Sequence, residues 1–223
     1  MSGTASVHGP HILALHGVPT SPVLWSRLSI PMETPALSGT LARQVAQALP
    51  LVTPETVILG HDMGGVVAAI VALVARPRGV VLSGTALGPY WTAVRTTAWP
   101  GLWRYFYARH AGRRFVAGAV SAQLRGEALA AFPGADPVDM RGVARSMRPP
   151  PGLAQQLAAR TRVELIWGRD DPWYPPLIAR RLSAVTGAPL AWVDGGHFSM
   201  WEAPEAFERC VDTALTRLTS EPR

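Results

Sequence analysis

The stretch Thr56-Val57-Ile58-Leu59-Gly60-His61-Asp62-Met63-Gly64-Gly65-Val66 changes character twice within a few residues. Its opening β-branched, apolar run reads as a strand. From Val66 to Ala75 the residues are small and apolar, the pattern of a buried helix. Between them lies a turn flanked by glycines. A strand, a sharp turn and a helix are the setting of a nucleophile elbow. Such a turn strains its central residue, and glycines are needed where side chains would collide. In the common G-x-S-x-G form that residue is serine; here it is Asp62.

Four further strand-like runs lie on either side. His11–Leu15 ends at His16-Gly17, Gly79–Ser83 at Gly84, Val163–Trp167 at Gly168, and Leu190–Val193 at Asp194-Gly195-Gly196. Helical patterns over Thr40–Leu49, Val66–Ala75, Pro176–Val185 and Pro204–Leu218 fall between most of them. Short apolar strands alternating with helices predict an α/β fold: a mostly parallel sheet flanked by helices. Chemistry in such sheets gathers beyond the carboxyl ends of the strands. His16, Asp62, Asp170, Asp171 and His197 all fall there.

The segment from Pro89 to Pro151 breaks this rhythm. It shows no clear strand, carries Tyr90, Trp91, Trp99, Trp103, Tyr105, Phe106 and Tyr107, and closes on Pro149-Pro150-Pro151-Gly152, a boundary signal. A short helical cap over 89–151, inserted in a single domain spanning 1–223, is expected.

Composition narrows the function classes. Every basic side chain is arginine, for the chain has no lysine and no asparagine. That excludes a Schiff-base lysine, a Walker-A lysine and an N-glycosylation acceptor. The net charge of +6 comes from scattered arginines without a basic, aromatic-interleaved stripe, so no nucleic-acid partner is expected. The single Cys210 excludes an internal disulfide and a multi-cysteine metal site; it falls in a helical pattern and reads as core. No signal-peptide pattern opens the chain, and Val66–Ala75 is too short to span a bilayer. A cytoplasmic protein without a membrane partner is expected.

The order of candidate groups is nucleophile, acid, histidine: Asp62, then Gly168-Arg169-Asp170-Asp171-Pro172, then Gly195-Gly196-His197-Phe198. With this order and these strand contexts the chain resembles the α/β-hydrolase superfamily over nearly its whole length. Gly60-His61-Asp62-Met63-Gly64-Gly65 resembles the aspartate-nucleophile branch of epoxide hydrolases and haloalkane dehalogenases. His16-Gly17-Val18-Pro19-Thr20-Ser21, followed by Leu24-Trp25, is similar to that branch's oxyanion-hole loop. The resemblance implies a triad of Asp62, His197 and Asp171. In the family the acid stands three residues after the glycine that ends its strand, which from Gly168 is Asp171; Asp170 is the alternative. No carboxylate follows Gly79–Ser83, the branch's other place for the acid. His16 and His61 read as residues that set loop geometry.

An ionised carboxylate suits attack on a saturated carbon, leaving an alkyl-enzyme ester. Against an ordinary ester it would have to form a high-energy anhydride. His197 would then deprotonate a water that attacks the Asp62 ester while Asp171 holds the imidazole tautomer. The backbone N–H groups of Val18 and Met63 are the expected oxyanion donors. No metal or organic cofactor is required. The partners are a small apolar organic substrate and water.

Epoxides and halides need different help. The branch's dehalogenases typically carry a Trp after the nucleophile and often an Asn after His-Gly; here these positions are Met63 and Val18. An arginine after the nucleophile, as in fluoroacetate dehalogenases, is also missing. The branch's epoxide hydrolases draw a proton from cap tyrosines. Trp99, Trp103, Phe106, Tyr107 and His110 share one helical face, making Tyr107 the candidate acid. Epoxide hydrolysis is therefore the leading expectation, with haloalkane dehalogenation second. A non-hydrolytic scaffold, either a binding protein or a biosynthetic cyclase or lyase, is third. The fold is trimmed at its N-terminus relative to the family, and between Pro19 and Thr56 only Ile30–Met32 hints at a further strand. That leaves an edge which a second copy could cover in a homodimer.

Overall fold

The computed structural model describes residues 10–88, 111–132 and 149–220. Its frame is five parallel strands side by side in chain order: β1 (Ile12–Leu15), β2 (Val57–His61), β3 (Gly79–Ser83), β4 (Val163–Gly168) and β5 (Leu190–Val193). Beyond β1 the expected extra strand at Ile30–Met32 shrinks to one parallel bridge at Glu33. Its amide donates to Ile12 O and its carbonyl accepts from Ala14 N, both at 2.8 Å.

Side chains alternate across this sheet, as a two-residue period dictates. Leu13, Leu15, Ile58, Val80, Leu82, Leu165 and Trp167 face one apolar layer. That layer is completed by α1 (Leu41–Ala48), α2 (Met63–Ala75), α5 (Leu153–Ala158) and α6 (Pro176–Thr186). Ile12, Ala14, Val57, Leu59, Val81, Ile166 and Val193 face the other. There they meet α7 (Ser199–Glu202), α8 (Pro204–Ser220), and Val116, Ala119 and Phe132 from the insertion. Cys210, expected in the core, is half-buried at the edge of this second layer.

Within the expected cap, the described residues form α3 (Ala111–Ala119), a 3₁₀ turn (Ala122–Leu124) and α4 (Arg125–Ala131). Tyr90, Trp91, Trp99, Trp103, Tyr105, Phe106, Tyr107 and His110 lie outside the described residues. Among the described residues, no helix is long and apolar enough to cross a membrane.

Candidate active site

Asp62 is the hinge between β2 and α2, at φ 51° and ψ −120°, a region that side chains rarely adopt. The turn is held from both sides. Its amide donates to Ser83 O at 3.1 Å, and its carbonyl accepts from Thr85 Oγ1 at 2.6 Å. The flanking glycines are demanded by close approach. A Cβ on Gly60 would stand 2.7 Å from Gly65 Cα, and one on Gly64 only 2.2 Å from Leu15 O. Helix α2 thus begins directly after Asp62, and its N-terminal dipole favours negative charge on that carboxylate.

The loop after β1 closes over the same carboxylate. A Cβ on Gly17 would lie 2.3 Å from Asp62 Oδ2, so only glycine lets the loop come this near. Val18 N then donates to Oδ2 at 3.1 Å. His16 fixes the loop: its Nδ1 donates to Gly17 O at 2.8 Å and its Nε2 accepts from Leu37 N at 3.1 Å. This pair of bonds defines a neutral imidazole, in keeping with a pKa lowered by burial.

The acid and histidine come from the loops after β4 and β5. Asp171 is buried; its Oδ2 accepts from His197 Nδ1 at 2.9 Å, and its Oδ1 accepts from Trp173 N and Tyr174 N, each at 2.9 Å. Asp170 points to solvent. Bonding at Nδ1 leaves Nε2 as the basic nitrogen, and Nε2 has no hydrogen-bond partner among the described residues. Burial pushes the His197 pKa down, but the Asp171 charge, its hydrogen bond and the Asp62 charge outweigh this and raise it. His61 lies beneath: its Nε2 donates to His197 O at 3.0 Å, and the two rings are 4.5 Å apart. Burial, then the neighbouring His197 charge, hold His61 neutral, so it acts as a support rather than a base.

Tyr174 is the residue that reading the chain did not single out. Its hydroxyl donates to Asp62 Oδ1 at 3.0 Å, and its ring stacks on His197 at 5.5 Å. The signal was present in Asp171-Pro172-Trp173-Tyr174-Pro175. An aspartate whose side chain caps the amides two and three residues ahead makes a tight turn, and this turn aims the tyrosine back at the sheet. Trp173 and Phe115 stack at 4.6 Å, and Phe115 meets the His197 ring edge-on at 5.5 Å. This gives the site an aromatic wall.

The Asp62 carboxylate therefore accepts from Val18 N, Met63 N and Tyr174 Oη. Burial nevertheless dominates and raises its pKa; the His197 charge and these donors pull the other way. Asp62, His197 and Asp171 converge at the carboxyl edge of the sheet, and the expected oxyanion donors Val18 and Met63 both point to Asp62. Among the described residues no cluster of His, Cys, Asp or Glu could hold a metal ion.

A sequence profile of the alpha/beta hydrolase family matches residues 12–209. The chain belongs to the alpha/beta hydrolase family. No curated protein matches this α/β-hydrolase in sequence. Solved structures share its fold at low identity. An esterase from Thermogutta terrifontis is 18% identical with a TM-score of 0.78, over 94% of this chain and 90% of its own. An enol-lactonase from Burkholderia xenovorans LB400 is 18% identical with a TM-score of 0.75, over 94% and 92%. The haloalkane dehalogenase DbeA from Bradyrhizobium elkani USDA94 is 19% identical with a TM-score of 0.70, over 96% and 92%.

Proposed function

We propose that this α/β-hydrolase opens epoxides through a covalent alkyl ester on Asp62. The observation that carries the reading is a carboxylate at the elbow, with Oδ2 held by a backbone amide and a basic histidine nitrogen beside it. In the first half-reaction Oδ1 displaces the epoxide oxygen from a saturated carbon, and no base is needed. In the second, His197 Nε2 takes a proton from water and the hydroxide adds to the Asp62 carboxyl carbon. Negative charge then develops on Oδ2, which already accepts from Val18 N, with Met63 N also bonded to the Asp62 carboxylate. Each such donor is worth about 3 kcal/mol, or a few hundredfold in rate. Asp171 keeps the proton on Nδ1 throughout.

An esterase or lactonase role, that of two of the structural neighbours, fits poorly with a carboxylate nucleophile, because acyl attack would yield an anhydride. Dehalogenation is the second reading. Against it, Met63 is a thioether without a donor, and the chain holds no asparagine. Tyr107, the candidate cap acid, lies outside the described residues.

A single turnover in water bearing heavy oxygen tests the ester, with styrene oxide as substrate and a bromoalkane beside it. The label should appear first in the Asp62 carboxylate, and the epoxide should react faster. Label in the product alone would defeat the covalent reading. A bromoalkane outpacing every epoxide would replace epoxide opening with dehalogenation.

A further inference from the structure

The geometry points to Tyr174 as the proton donor of ring opening, with Asp62 itself returning the proton at the end of the cycle. This rests on the covalent-ester reading above and deepens it. Tyr174 belongs to the acid loop of the core and not to the cap. Its position is fixed at three places: its amide on Asp171 Oδ1 at 2.9 Å, its carbonyl under the Trp167 indole N–H at 2.7 Å, and its ring against His197. Its hydroxyl is 3.0 Å from Oδ1, the oxygen left to attack once Val18 N has engaged Oδ2.

Attack from about 3 Å leaves the departing epoxide oxygen roughly 4 to 5 Å from Oδ1, on the far side of the carbon. A hydroxyl 3.0 Å from Oδ1 comes within hydrogen-bond reach of both oxygens when the epoxide carbon is seated alongside it, the placement this role requires. The step balances. The Oδ1–carbon bond forms, the epoxide C–O bond breaks, and the Tyr174 proton passes to the new alkoxide, leaving a hydroxy-ester and a tyrosinate. Water then loses a proton to His197, and its hydroxide adds to the carboxyl carbon. Collapse expels the diol oxygen, which takes the proton from His197. Asp62 is left as a carboxylic acid whose new oxygen stands in the place of Oδ1. That acid is the hydrogen-bond neighbour of the tyrosinate, and transfer along the same contact restores both groups. Electrostatics support the timing. Burial first, and then the Asp62 charge, hold the phenol pKa well above its ordinary value. Esterification removes the Asp62 charge, so the phenol becomes more acidic as the alkoxide forms.

A tyrosine that only solvated the carboxylate would affect every electrophile alike, and the test uses this. Alkylation of Asp62 is followed by intact mass and peptide mapping in His197→Gln, where the ester is retained, and in His197→Gln combined with Tyr174→Phe. Styrene oxide is compared with an α-bromoketone, whose leaving group needs no proton. The expected result is that Tyr174→Phe slows alkylation by the epoxide about a hundredfold or more and leaves the bromoketone rate within a few-fold. Equal slowing of both, or no slowing of the epoxide, overturns the assignment. Absence of any Asp62 adduct in His197→Gln alone overturns the covalent reading beneath it. If Tyr174→Phe does not fold, Tyr174→fluorotyrosine keeps the shape and lowers the phenol pKa. A rate change confined to the epoxide supports the role, and unchanged rates with both reagents refute it.

Discussion

Asp62 and His197 meet at the carboxyl edge of the sheet, but different constraints hold them. The elbow is one contiguous piece of chain, Val57 through Ala75, and its shape is set by backbone contact. A Cβ at Gly64 would lie 2.2 Å from Leu15 O, and the Asp62 carbonyl is tied to Thr85 at 2.6 Å. The His197 loop is gathered from far along the chain. His61 Nε2 donates to the carbonyl of His197 at 3.0 Å, and Phe198 N donates to Ala119 O at the end of α3 at 3.1 Å. Gly196 N donates to Glu202, whose other carboxylate oxygen accepts from Ser121 N at 2.6 Å. Close backbone packing bounds the histidine loop too, since a Cβ at Gly168 would lie 2.0 Å from Gly196 O, but that loop depends in addition on side chains from distant elements, His61 and Glu202. The two regions also serve different halves of the proposed cycle: the elbow forms the ester, and the histidine loop removes it.

The sharpest way to break this division is Asp171→Asn. The histidine would lose its oriented tautomer, and ester hydrolysis should fall by about ten thousandfold. Ester formation, read by intact mass in a quenched burst, should change only a few-fold. Parallel loss of both steps would mean that the halves are not separable. Asp170→Asn, on an exposed side chain, should leave both steps near wild type, and the reverse ranking would move the acid to Asp170.

Gly64→Ala probes the other side. With no room at Leu15 O, the helix start must shift, and a loss of about 3 kcal/mol or more in denaturant unfolding is expected, together with loss of ester formation. A stable, alkylating variant would show that the elbow has more give than its contacts allow.

The smallest effect is on pH. Ester formation needs ionised Asp62, and burial raises that carboxyl, so its acid limb should lie above the ordinary carboxylate value. Hydrolysis needs neutral His197, whose pKa the Asp171 charge and hydrogen bond raise against burial; the Asp62 charge that adds to this in the free enzyme is gone once the ester forms. The ordinary range of an imidazole lies well above that of a carboxylate, so hydrolysis should fail before alkylation as pH falls and the ester should accumulate on the acid side. Rapid-quench measurement of the bound fraction against pH checks this. Coincident limbs would contradict the separation.

Much of this was legible in the chain. β3 and β5 begin and end where the sequence pattern puts them, because glycine and polar residues punctuate short apolar runs on both sides. Helix α2 starts at Met63 and not Val66 because packing against the Leu15 backbone requires glycines that intrinsic propensity would keep out of a helix. The strand hinted at by Ile30–Met32 is only the Glu33 bridge, since pairing there is limited to a single pair of bonds. Asp171 over Asp170 followed from spacing within the resembled family; the structure gives that spacing a physical form, with one carboxylate turned inward to His197 and the other to solvent.

The alternation of strand and helix, the elbow with Asp62 at its apex, and the chain order of acid and histidine can all be read from the residues in a line. These are local facts, carried by periodicity and by glycines that backbone geometry demands. Folding in three dimensions is what brings Tyr174 to Asp62 across 112 residues, fastens the histidine loop to the insertion through Glu202, and sets Phe115 and Trp173 as a wall of the site. Those contacts depend on where separate loops come to rest over one sheet edge. No pattern within a single segment encodes that distance.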